Sequence, residues 1–180
     1  MKPVHVWVDA DSCPRTVRDY IIKKAADLSL AVTFVANRAV PVDEKLLIDK
    51  KLSFESVISK TNSSTTRSAM SSSRENTPGA ADDYITGSAE KGDMIVTRDI
   101  PLAAKLAERG LCVLNDRGIS YTKESAKKKL ADRNFNMQLA EAGLTGNKKN
   151  VYGKKEFALF AACFDKEIIK LIRERSLSLL

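Results

Sequence analysis

Short apolar runs alternate along this chain with segments of helical period, and most runs break off at a polar or acidic residue. "VHVWV" (4–8) stops at Asp9, while "LAVTFVA" (30–36), "DMIVT" (93–97) and "LCVLN" (111–115) are further runs of strand length, with "FESVIS" (54–59) a weaker one. Between the first two, Val17, Tyr20, Ile21, Ile22 and Ala25 recur at near-helical spacing. Strands alternating with helices predict a mostly parallel sheet in a three-layer α/β fold. Ligands of such sheets bind beyond the carboxyl ends of the strands, which directs attention to the residues just after each run.

The helices carry their own punctuation. Ser12 reads as an N-cap with Pro14 in the first turn, where a missing N–H is harmless. A second helix starts near Asp82 and Asp83 with Gly92 as its stop, and Pro101 opens a third that Gly110 ends. A long basic helix begins at Thr122, "GLTGNKKNVYG" (143–153) reads as a linker, and a last helix places Phe157, Phe160, Ala161, Phe164, Ile168 and Ile172 on one stripe. "VDEKLLIDK" (42–50) reads as one or two helical turns. Residues 60–79, "KTNSSTTRSAMSSSRENTPG", have no apolar period and read as a flexible Ser/Thr-rich loop, a lid or a disordered insertion. The 180 residues suit one domain, 1–180, with a basic helical part at 122–180.

Composition removes several classes of function. No run approaches the roughly 18 apolar residues of a membrane span, and the N-terminus lacks the pattern of a secretory signal. Three cysteines, Cys13, Cys112 and Cys163, lie far apart without a C-x-x-C, which disfavours a disulfide framework or a zinc site and makes a reducing cytoplasm the expectation. The single histidine, His5, excludes any site built on two. Cys13, Trp7 and the phenylalanines of the last helix read as core. Net charge is +7 and uneven: residues 1–121 hold 17 Lys/Arg against 16 Asp/Glu, and residues 122–180 hold 13 against 7. That asymmetry fits a polyanionic partner such as nucleic acid, or a solubilising basic surface.

The acidic residues are the more pointed feature. Asp9 and Asp11 follow the first strand, Asp99 the fourth and Asp116 the fifth, while Asp82 and Asp83 start a helix that can reach the same edge. Each aspartate just before a helix also reads as an ordinary N-cap. Caps do not explain two aspartates at one strand end with two more strands ending alike. Converging carboxylates raise one another's pKa unless a cation joins them, and all-oxygen ligands favour Mg²⁺ or Mn²⁺. Such an ion activates water and clamps a phosphate oxygen. Thr97, Arg98, Lys148 and Lys149 are candidate phosphate contacts.

Four segments in order, "VDADSCP", "AADDYI", "TRDIPLAAKLAERG" and "VLNDRG", resemble the YaiI/YqxD family of small bacterial proteins of uncharacterised function, over residues 4 to about 165. The resemblance implies a PIN-like (Rossmann-like) fold, by similarity to metal-dependent ribonucleases. It carries over Asp9, Asp11, Asp82, Asp83 and Asp99 as metal-site residues, with Mg²⁺ or Mn²⁺ and a nucleic-acid substrate. The chain departs from the family pattern at Gly79, where an aspartate is usual, and at Asp116, where proline is usual. The resulting expectation is a metal-dependent nuclease acting on RNA, with Asp9, Asp11 and Asp99 catalytic and a homodimer as one possible assembly. The alternatives are a non-catalytic nucleic-acid-binding protein and a haloacid-dehalogenase-like phosphatase, whose late G-D-x-x-x-D would have to follow a strand, whereas Gly92-Asp93 precedes one.

Overall fold

A computed structural model describes residues 3–36, 54–58, 80–144 and 151–177. The expected helical turns at 42–50, the loop at 60–79 and the lysines Lys148 and Lys149 lie outside the described residues. Six strands, β1 (His5–Asp9), β2 (Ala31–Ala36), β3 (Phe54–Ile58), β4 (Met94–Val96), β5 (Cys112–Leu114) and β6 (Ser120–Tyr121), form one sheet in the order β3-β2-β1-β4-β5-β6. All neighbours are parallel except β5 and β6. The described helices are α1 (Arg15–Leu28), α2 (Ala80–Ser88), α3 (Ile100–Glu108), α4 (Lys123–Glu141) and α5 (Lys154–Leu177).

Strand alternation divides the core in two, since successive side chains point to opposite faces. Val6, Val8, Val32, Phe34, Met94, Val96 and Leu114 point to the face covered by α1 and α5. There Phe160, Phe164 and Ile168 are fully buried, each contributing about 1.5–3 kcal/mol of transfer free energy. Trp7, Val35, Ile95 and Val113 point to the other face, against Ala81 and Ile85 of α2, Leu102 and Leu106 of α3 and Ala126 of α4. The three-layer expectation is therefore met, and the stripe on the last helix is the core stripe of α5.

Two local features differ from the sequence reading. Pro14, not Ser12, is the N-cap of α1, and no side chain caps that end. Strand β6 was not expected, because its two residues are too short to carry a period. It exists because Asn115 organises the return: its Oδ1 accepts from the N–H groups of Arg117 (3.0 Å) and Ile119 (2.8 Å). Gly118 completes this turn at φ 77°, and a Cβ there would stand 2.3 Å from the carbonyl oxygen of Leu159. Only glycine fits that contact. "VLNDRG" is thus a turn that seats α5 against the sheet.

Candidate active site at the carboxyl edge of the sheet

The order β3-β2-β1-β4 means that the chain builds outward from β1 in one direction and then resumes on its other side. The switch point lies between β1 and β4, where open α/β sheets form a crevice at their carboxyl ends. Asp9 ends β1 and Thr97 follows β4. The register pairs Val8 with Val96, so the next residues of both strands, Asp9 and Thr97, share the face of Trp7 and Ile95. Both are buried.

Asp9 Oδ2 accepts from Thr97 Oγ1 at 2.8 Å and from Ser12 Oγ at 2.7 Å. Ser12 is therefore a carboxylate ligand rather than a helix cap, and the turn after β1 is folded onto the aspartate it follows. Thr97 Oγ1 also accepts from the Asp99 N–H at 3.0 Å, and Ser12 Oγ from the Arg98 N–H at 3.3 Å. Asp99 then caps α3, its Oδ1 accepting from the Leu102 N–H at 2.7 Å, with Pro101 in the first turn. The N-cap reading of Asp99 is correct, and its position at the switch point holds as well.

Asp82 belongs to the same neighbourhood. It lies in the first turn of α2, on the face of the sheet that Asp9 occupies. Its carboxyl is pushed up to about 6, first by burial and then by the charges of Asp99, Asp9 and Asp83. Three segments far apart in sequence thus bring carboxylates within electrostatic reach of one another. Asp83 itself is exposed, and Asp11 is half-buried in the turn after β1.

Asp116 lies in the turn after β5, and its contacts are with Arg98, Tyr152 and the surroundings of Cys13. It is buried beside Arg98, whose Nε stands 3.3 Å from its Oδ2, and its carbonyl accepts from Tyr152 Oη at 2.9 Å. Burial raises its pKa, against the opposing pull of Arg98 and Arg117. The neighbouring Cys13 thiol is likewise pushed up by burial, in keeping with a structural thiol. Arg98, expected to meet phosphate, is half-exposed and bridges this pair to the Ser12 carbonyl at 3.5 Å.

The donor set of Asp9, Asp82 and Asp99 is all oxygen, and a hard divalent cation would remove the repulsion that raises Asp82. Among the described residues no group of three or more His, Cys, Asp or Glu stands close enough together to hold a metal ion. These carboxylates match a hard cation in chemistry and charge, and their spacing among the described residues does not form a complete ligand set. No described helix is long and apolar enough to cross a membrane.

The profile described as "Uncharacterized BCR, YaiI/YqxD family" matches residues 7–56 and 51–170. A "UPF0178 protein" of Treponema denticola is 38% identical over 172 residues, covering 96% of each chain. Those of Myxococcus xanthus and Syntrophobacter fumaroxidans are 34% and 33% identical, over 93% of this chain and 96% and 95% of their own. No solved structure gives a significant match. With matches that run through β1, α2, the Asp99 segment and α5, the chain belongs to the YaiI/YqxD family.

Proposed function

We propose that this protein is a metal-dependent phosphodiesterase with a PIN-like fold that cleaves RNA in the cytoplasm, using Mg²⁺ or Mn²⁺ drawn to the acidic carboxyl edge that Asp9, Asp82 and Asp99 line. The observation that supports the reading is that buried Asp9, at the end of β1, and half-buried Asp99, after β4, are joined through Thr97 at the switch point of a parallel sheet. Asp82 lies near them, its carboxyl pushed up by burial and then by the charges of Asp99, Asp9 and Asp83. Folding gathers like charges only at a cost, and sites that bind cations are where that cost is offset.

The bound ion would supply a water of lowered pKa and charge stabilisation at a phosphate oxygen. The chain's own residues have separate tasks. Ser12 and Thr97 hold Asp9 Oδ2 through two charge-assisted hydrogen bonds, which fixes the carboxylate plane and leaves Oδ1 for a ligand. Thr97 couples this to the second aspartate by accepting from the Asp99 N–H. The cap bond to Leu102 sets the Asp99 side chain, with one oxygen used by the helix. Asp82, half-buried in the first turn of α2, is placed to orient water at this edge. Arg98 stands at the rim, where it is ion-paired with Asp116.

The test is cleavage of an end-labelled single-stranded RNA by the full chain with Mn²⁺ and with EDTA. The expected result is Mn²⁺-dependent hydrolysis that Asp9→Asn and Asp99→Asn each reduce by at least 100-fold. Cleavage that survives both substitutions would sink the reading.

A further inference from the structure

Helix α4 is anomalous for its length. Thr122 caps it through a reciprocal bond with Ser125, and Ala126 is its one buried residue; from Ala131 to Ala142 every residue but Leu139 is exposed. A helix of 19 residues normally owes its stability to an apolar face packed on a core, and the second half of this one has no such face among the described residues. Its cations divide into two groups. Lys123 and Lys127 turn to Glu108 of α3, at 3.8 and 3.1 Å. Lys128, Lys129 and Arg133 are exposed and make no ion pair among the described residues.

Lys129, Arg133 and Asn136 follow one another at helical spacing along one side of α4 and line a cleft of about 350 Å³. Ile100, Met137 and Ala140 are its apolar lining, and Asp132 is its acidic residue. Ile100 is the first residue of α3, next in the chain to Asp99. The cleft therefore opens beside the acidic edge, and successive turns set its polar groups about 5–6 Å apart along the helix.

We propose that this cleft seats the sugar–phosphate backbone of a single-stranded nucleic acid whose scissile linkage lies at the acidic edge. Lys129 and Arg133 contact successive phosphates, and Asn136 bonds to sugar or phosphate oxygens. Charge identifies the occupant: exposed cations without partners, at a ligand-binding edge otherwise acidic, suit a polyanion threaded from one to the other. The proposal rests on the phosphodiesterase reading for the position of the scissile bond, and on α4 alone for the track.

The experiment is fluorescence anisotropy of a labelled single-stranded RNA 20-mer with the full chain in EDTA, across a salt series. Lys129→Ala/Arg133→Ala is expected to weaken binding about tenfold or more and to reduce the magnitude of the salt slope by about 1.4, two phosphate contacts at roughly 0.7 each. Lys166→Ala/Arg173→Ala removes the same charge from exposed positions on α5, across the sheet, and is expected to stay within twofold. Equal losses in both variants, or no loss in the first, overturn the proposal. An intact chain that fails to cleave in Mn²⁺ while Lys129→Ala/Arg133→Ala still weakens binding defeats the phosphodiesterase reading and leaves the track standing. Cleavage abolished by Asp99→Asn, with wild-type binding by Lys129→Ala/Arg133→Ala, does the reverse.

Discussion

Asp9 and Asp93 are both buried aspartates beside the central strands, at opposite ends of the same sheet. At the amino edge, Asp93 Oδ2 accepts from Trp7 Nε1 at 3.1 Å and from the Glu90 N–H at 3.0 Å, and Arg175 of α5 lies 3.5 Å from Oδ1. Arg175 also donates to the Pro3 carbonyl, so one carboxylate ties β1, the turn before β4 and the end of α5 together. Trp7 is held further by the stacked ring of His5, 4.0 Å away. At the carboxyl edge Asp9 receives two hydroxyls, and its charged neighbours Asp82 and Asp99 are of its own sign. One end of the sheet pairs its buried aspartate with a cation, and among the described residues Asp9 at the other end forms no ion pair. The first arrangement serves stability and the second is the kind found where a ligand completes the site.

Substitutions at the two ends should separate these roles. Asp93→Ala is expected to have the largest effect on stability, about 3 kcal/mol, because it strands the Arg175 guanidinium and the Trp7 N–H in a largely buried setting. Urea denaturation measures it. Asp9→Asn in the same assay should lose less than 1.5 kcal/mol, since an amide oxygen still accepts from Ser12 and Thr97. A larger loss from Asp9→Asn than from Asp93→Ala would break the comparison.

Thr97→Val comes next. It removes the donor to Asp9 and the acceptor of the Asp99 N–H without changing volume much, at an expected cost of about 1–3 kcal/mol. The conservative Thr97→Ser should restore most of it.

Mn²⁺ sharpens the contrast from the side of binding. If the carboxyl edge takes the ion, millimolar Mn²⁺ raises the melting temperature, by an amount equivalent to about 2.7 kcal/mol when the ion is at 100 times its dissociation constant. Differential scanning fluorimetry should show the shift in the wild type and in Asp93→Asn, and lose it in Asp9→Asn and Asp99→Asn.

Asp82 gives the smallest effect and the most specific sign. Its folded pKa of about 6 lies above the ordinary value of 3.8, so the folded state holds its proton more tightly than the unfolded state does. Its contribution is fully present below about pH 4 and is lost as pH rises through 6. Asp82→Asn should therefore stabilise the protein at pH 7.5 by about 1 kcal/mol, after discounting for its half-exposed setting, and the gain should vanish near pH 4. Parallel stability curves for the two proteins between pH 4 and 7 would show that the carboxylates do not press on Asp82.

Much of this was legible in the residues. The alternation of apolar runs with helical periods determined the parallel α/β class, and the α5 stripe identified its core face through Phe160, Phe164 and Ile168. Aspartates after strands one and four pointed to the ligand-binding edge because local sequence says where a strand stops. The roles of Ser12 and Thr97 were less legible. A serine three residues after Asp9 is a signal of side-chain bonding back to the strand end, yet it reads equally well as a cap, and only the observed bond to Oδ2 decides.

What the tertiary structure alone decided is which charges meet. Strand order put β4, rather than β2 or β3, on the free side of β1, and register set Asp9 beside Thr97. The turn that Asn115 organises set Asp116 beside Arg98. Local composition determines how a strand begins, alternates and ends. Which face a given residue shares with a residue 80 positions away depends on the pairing of strands, a long-range choice made by the packing of the whole core, and a one-residue change of register would reverse it.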